Sequence, residues 1–172
     1  MKRGKFGQMK LSFGMIFSIM LIIIFLVFGF YVISKFLDMK SSVEVGKFVD
    51  NLQNDITKMW GSSQGAQEET YTLPIKIESV CFVDFYSSSR GNEDIYKKLK
   101  QVYDNEQNFF FYPVGSGEGL DAVNLKCRDE INCLNIKEIT KTQNPFCIES
   151  EKGKIKLTIK KNFNDAQVVI TR

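Results

Sequence analysis

One stretch of this chain limits what the rest can be. Residues 11–34 (LSFGMIFSIMLIIIFLVFGFYVIS) form a run of 24 residues without a charge, with Lys10 and Lys35 at its edges. A helix needs roughly 20 apolar residues to cross a hydrocarbon core of about 30 Å, so this run is long enough to span with some tilt. A secretory signal peptide has an apolar region of roughly 7 to 15 residues and then a small-x-small cleavage site. The run meets neither condition and is expected to persist as a transmembrane helix. The competing reading is a buried core helix.

Charge gives the span a direction. Residues 1–35 carry Lys2, Arg3, Lys5, Lys10 and Lys35 and no acid, whereas residues 36–172 hold the other 18 bases and all 20 acids. Basic residues ahead of a first span hold that end in the cytoplasm, so the expected topology is single-pass in the cell membrane, N-terminus cytoplasmic and C-terminal domain extracytoplasmic. The remainder is close to neutral and has no basic patch interleaved with aromatics, so nucleic acid is not an expected partner.

All four cysteines, Cys81, Cys127, Cys133 and Cys147, fall in the part placed outside, where disulfides persist. Four cysteines allow three pairings, and the sequence does not choose among them. The short loop from Cys127 to Cys133 can close locally, leaving Cys81 with Cys147. A zinc site is disfavoured, because CxxC spacing is absent and the chain has no histidine.

Beyond the uncharged run a helical period continues. Val45, Phe48, Val49, Leu52, Ile56, Met59 and Trp60 recur at three- and four-residue steps, with Lys47, Asp50, Asn51, Asn54, Asp55 and Lys58 on the opposite face. The pattern predicts one helix over residues 8–60, apolar all round and then amphipathic, with Gly46 as a weak point and a stop in GSSQG at 61–65. Residues 61–70 read as a polar linker and 71–172 as a head. In the head, residues 75–85 read as a strand and 93–103 as a short surface helix with acids in its first turn. Residues 108–114 (NFFFYPV) read as a core strand, with an aromatic contact surface as the alternative. Residues 154–160 (KIKLTIK) alternate strictly, and with 145–150 and 166–171 they predict a three-stranded meander. The expected fold class is α+β, a long N-terminal helix packed on a small, mainly antiparallel β-sheet head with one short surface helix.

Candidate chemistry is sparse. Ser87, Ser88, Ser89 and Ser116 are available nucleophiles, but no histidine exists to take a hydroxyl proton. The run Gly115-Ser116-Gly117-Glu118-Gly119 lacks the Lys-Ser/Thr ending of a phosphate loop and reads as a flexible loop. Asp84, Glu118, Asp121, Asp129 and Glu130 show no EF-hand spacing and read as solvated surface. Neither an enzyme nor a cofactor is expected. In the apolar run, Gly14 and Ser18 form a small-xxx-small pair that lets another membrane helix, such as one from a second copy, approach closely.

The order of these features, a short basic leader, Gly7 followed by Gln8, a long apolar helix, its amphipathic extension and a cysteine-containing β head, resembles type IV pilins. The likeness is to the archaeal group with class III signal peptides in particular. The resemblance implies that a membrane prepilin-type peptidase removes the leader, residues 1–7, between Gly7 and Gln8, and that residues 9–60 form an assembly helix able to enter a surface filament or pseudopilus. Many pilins place a glutamate five residues into the mature chain, where this one has Ser12. Lys10 is a further difference, and a cut after Gly4 is the alternative. The second expectation is a single-pass membrane protein whose extracytoplasmic domain binds a partner or serves an envelope complex.

Overall fold

The computed structural model describes residues 13–127 and 132–172. The leader with Gly7 and Gln8, the first residues of the uncharged run (Leu11 and Ser12), and the acids Asp129 and Glu130 lie outside the described residues. The chain divides into two units, Met1–Lys40 and Ser41–Arg172.

Helix α1 covers Phe13–Gly61. It ends where glycine and a serine-rich run were expected to stop it, and it continues through Gly46, beside which an added Cβ would meet nothing within 4 Å. In the second unit its amphipathic part supplies Val45, Phe48, Leu52, Ile56 and Met59 to the core. These are the positions the helical period selects. Burying side chains of this size contributes about 1.5–3 kcal/mol each, which is what fixes this part of α1 to the head.

The head holds two antiparallel sheets. In the first, β1 (Gly65–Thr72), β6 (Lys154–Lys161) and β7 (Val169–Thr171) lie in the order β1-β6-β7. The alternation of β6 is realised, with Ile155, Leu157 and Ile159 in the core and Lys154, Lys156 and Lys160 exposed. The second sheet has the order β4-β3-β2-β5, from β4 (Ala122–Val123), β3 (Phe109–Tyr112), β2 (Ser79–Phe82) and β5 (Phe146–Glu149). Its central strands are covered on both faces. Val80, Phe82, Phe109 and Phe111 point to the core shared with α1, whereas Cys81 and Phe110 point to a second cluster with Tyr96 and Leu99 of α2 (Glu93–Val102). Coverage on both faces explains why β3 reads as continuous aromatic rather than alternating. Of the two readings of residues 108–114, the core strand holds.

Three expectations are corrected. Residues 61–70 are not a linker throughout, because Gly65–Thr72 is strand β1, paired with β6 from Gly65↔Lys161 to Thr72↔Lys154. Tyr71 is its one buried residue, and the run Gln67-Glu68-Glu69 stays largely exposed, so the strand carries no apolar alternation. The expected meander loses one strand: β5 pairs with β2, not β6. Residues 75–85 form a strand only over Ser79–Phe82, since Pro74 opens a turn closed by Ile77 N–H donating to the Pro74 carbonyl at 3.0 Å. A further short helix, α3 (Ile136–Ile139), was not expected. Asn135 caps it by accepting from the Glu138 N–H at 3.1 Å.

Both disulfides join elements of the head. Cys81–Cys147 links directly opposed residues of β2 and β5, and Cys127–Cys133 closes a short loop. The C-terminus of α1 is held where Trp60 Nε1 donates to the Ala166 carbonyl at 3.1 Å and Lys161 Nζ donates to the carbonyls of Trp60 at 2.5 Å and Ser62 at 2.8 Å. A cation on the last carbonyls of a helix suits both their unpaired acceptors and the dipole.

Candidate functional site

Two surfaces stand out. The first is α1 up to Lys40, where every described residue is exposed except half-buried Gly29. It contains the one helix long and apolar enough to cross a membrane among the described residues, and none of its most apolar window is buried. The core-helix reading therefore fails for this segment, because a core helix buries its apolar side chains. Ser34 Oγ donates to the Phe30 carbonyl at 3.0 Å, so this hydroxyl is satisfied within the helix. Gly14 and Ser18 both lie on the exposed surface, one helical turn apart.

The second surface is a cleft of about 530 Å³ in the head. Its apolar lining comes from Val83, Phe85, Leu134 and Ile136, and its polar lining from carboxamides in four chain segments. Asn105, Gln107 and Asn108 precede β3, Asn124 follows β4, Asn132 and Asn135 flank Cys133, and Gln167 precedes β7. Some carry structural bonds. Asn108 accepts from the Leu125 N–H at 2.9 Å and donates to the Leu125 carbonyl at 3.0 Å, while Gln167 donates to the Asn132 carbonyl at 3.0 Å. Asn105 stands at the exposed rim, and Gln107 Oε1 is buried without a partner among the described residues.

One wall of the cleft is a turn with an exposed aromatic. The Asp84 carboxylate accepts from the Tyr86 N–H at 3.0 Å and from Ser87 Oγ at 2.6 Å. Asn144, fully buried, accepts from the Asp84 N–H at 3.1 Å and donates to the carbonyls of Asp84 at 2.8 Å and Ser88 at 3.2 Å. Tyr86 is 84% exposed on this braced turn. Comparison with known protein families, curated proteins and solved structures gives no match.

Among the described residues the serines and acids singled out in the sequence form no common site beyond the Ser87–Asp84 contact. Ser87 is spent on Asp84, and Ser116 Oγ is buried without a partner among the described residues. Glu118 pairs with Lys76, while Asp121 accepts from the Gly117 N–H at 2.7 Å. The glycine-rich run is a bonded turn rather than an open loop: Ser116 N–H reaches the Pro113 carbonyl at 3.1 Å and Leu120 N–H the Gly117 carbonyl at 2.9 Å. A Cβ on Gly117 would stand 2.7 Å from the Asp121 Cα, so glycine is required by that approach. Among the described residues no group of three His, Cys, Asp or Glu side chains is placed to hold a metal ion.

The strongest electrostatic perturbation lies away from the cleft, between α1 and β1. Burial, and then the hydrogen bond from Tyr71 OH to Asp55 Oδ2 at 2.9 Å, push the Tyr71 phenol well above its ordinary range. Asp55 also pairs with Lys58 at 2.9 Å. This is a packing contact that locks the helix to the sheet edge.

Proposed function

We propose that this chain is a pilin-like structural subunit, anchored by α1 before assembly and packed through α1 against copies of itself in a surface filament or pseudopilus. The observation that carries this reading is that one helix has two surroundings. From Phe13 to Ser34 it is uncharged and uncovered, and from Val45 to Met59 it supplies the core of a disulfide-closed head. A helix apolar on every side has two stable homes, lipid or the flanks of like helices, and a pilin uses them in turn. The five bases of residues 1–35 orient it with the N-terminus inside, and Gly7–Gln8 is the processing site for a prepilin-type peptidase.

N-terminal and intact-mass analysis of the protein from its native membrane tests this. A mature chain beginning at Gln8 supports the reading, and one beginning at Met1 or Lys2 overturns it. The cleft favours a second reading, a single-pass protein whose extracytoplasmic head binds a ligand, and that reading is the one left standing if the leader is retained.

A further inference from the structure

We infer that the cleft beside Tyr86 binds a neutral polyhydroxylated ligand, a saccharide unit, with the Tyr86 ring as its platform. A volume of about 530 Å³ lies within the range of small-ligand sites, roughly 300–1,000 Å³, and an apolar lining with polar groups around it is their usual composition. The choice of ligand class comes from the polar groups. A carboxamide both donates and accepts, as a sugar hydroxyl does, so a wall of Asn and Gln matches a ring carrying several hydroxyls.

Charge points the same way. Among the described residues the charged groups of the lining are Asp84, Glu106, Lys126 and Lys137, two of each sign, and the Asp84 carboxylate already accepts two bonds from its own turn. An anionic or cationic ligand would find no excess of the opposite sign. Gln107 contributes a buried oxygen without a donor, and its terminal torsion is broad enough to turn the amide toward a hydroxyl.

Tyr86 supplies what the amides lack. Its ring is left in water on a turn that Asp84 and Asn144 make rigid, so little ordering is lost when a ligand covers it. The apolar C–H face of a pyranose is a fitting cover for an aromatic face whose polar hydroxyl stays wet. The Cys127–Cys133 disulfide lies next to two residues of the wall, Lys126 and Asn132. The inference does not depend on whether α1 assembles, since every group in it belongs to the head.

The full-length chain in an amine-oxide detergent is the sample, because alkyl glycosides would compete for the site. Saturation-transfer NMR is run with glucose, galactose, mannose, N-acetylglucosamine and their disaccharides, and with citrate and spermidine as charged probes. At least one neutral saccharide is expected to take up saturation, while the charged probes do not. Tyr86→Ala is expected to weaken that binding about tenfold or more, which is about 1.4 kcal/mol. Asn105→Ala should weaken it several-fold, and Phe163→Ala, which removes an exposed aromatic outside the cleft, should leave it unchanged. Binding by no neutral saccharide, equal transfer to the charged probes, or full binding by Tyr86→Ala would each overturn the inference. Because Tyr86 and Asn105 are exposed, neither variant removes core packing.

Discussion

Replacing Phe48 by alanine asks whether the second half of α1 is truly part of the head. Phe48 is 2% exposed, and its ring lies 5.3 Å from Tyr71, 5.9 Å from Phe109 and 5.7 Å from Phe111, centroid to centroid. It therefore joins α1 to β1 and to both inward positions of β3. A buried Phe→Ala change costs about 3–5 kcal/mol, and the loss of three aromatic contacts, each about 0.5–1.5 kcal/mol beyond area, places this one near the upper end. With a urea slope of about 2 kcal/mol per molar, a loss of ~4 kcal/mol lowers the midpoint by about 2 M. The only tryptophan, Trp60, is bonded to the Ala166 carbonyl at the end of the same helix, so its fluorescence reports undocking. Val43→Ala is the control, since Val43 is 51% exposed and its loss should stay within about 0.5 kcal/mol. A midpoint for Phe48→Ala no lower than that of the control would refute the claim that this part of α1 is core.

The other predictions concern the bonds that brace the head. Removing Cys81–Cys147, whose partners are 66 residues apart, should cost about 4 kcal/mol by loop-closure entropy, against about 2 kcal/mol for Cys127–Cys133 with a separation of 6. Paired alanine variants unfolded in urea should keep that order, and the reverse order would count against chain entropy as the cause. Asn144→Ala orphans the buried Asp84 N–H and two carbonyls, with an expected loss of about 3 kcal/mol that calorimetry of the full chain would read. Tyr71 has a folded pKa raised above its unfolded value near 10, so its contribution is complete below about pH 10 and is lost as pH rises beyond it. Urea midpoints from pH 8 to 11 should fall at the alkaline end, and less steeply in Tyr71→Phe.

What could be read from the sequence was what local periodicity encodes. The inner face of α1, the extent of α2 and the alternation of β6 each need only one amphipathic element facing one core. β1 was hidden because an edge strand with one buried side chain, Tyr71, has no alternation to show. β5 was misplaced because the short turn after it suggests pairing with β6, whereas β2, far away in the chain, is its partner through Cys81↔Cys147. The apolar Cys-containing runs SVCF and FCIE were the available hint, since two such segments on one buried sheet bring their cysteines into register. The cleft could not be seen at all. Its walls come from segments at residues 83–86, 105–108, 124–126, 132–137 and 167, and the trace in the sequence is the asparagine and glutamine in all but the first of these.

The continuity of α1 bears on the choice between the two functional readings. A module that needed only tethering would be served by about 20 apolar residues and then a flexible linker, which leaves the head free to fold and search by itself. Here the chain from Ser41 onward stays helical and places Val45, Phe48, Leu52, Ile56 and Met59 in the head's own core. Residues 41–60 therefore belong to the head, and cutting the helix at residue 60 would remove those side chains from its core. Under the pilin-like proposal, residues 13–40 are the part that would exchange lipid for neighbouring helices, and the core contacts beyond Val45 belong to the head. A flexibly tethered binding domain gains nothing from that arrangement.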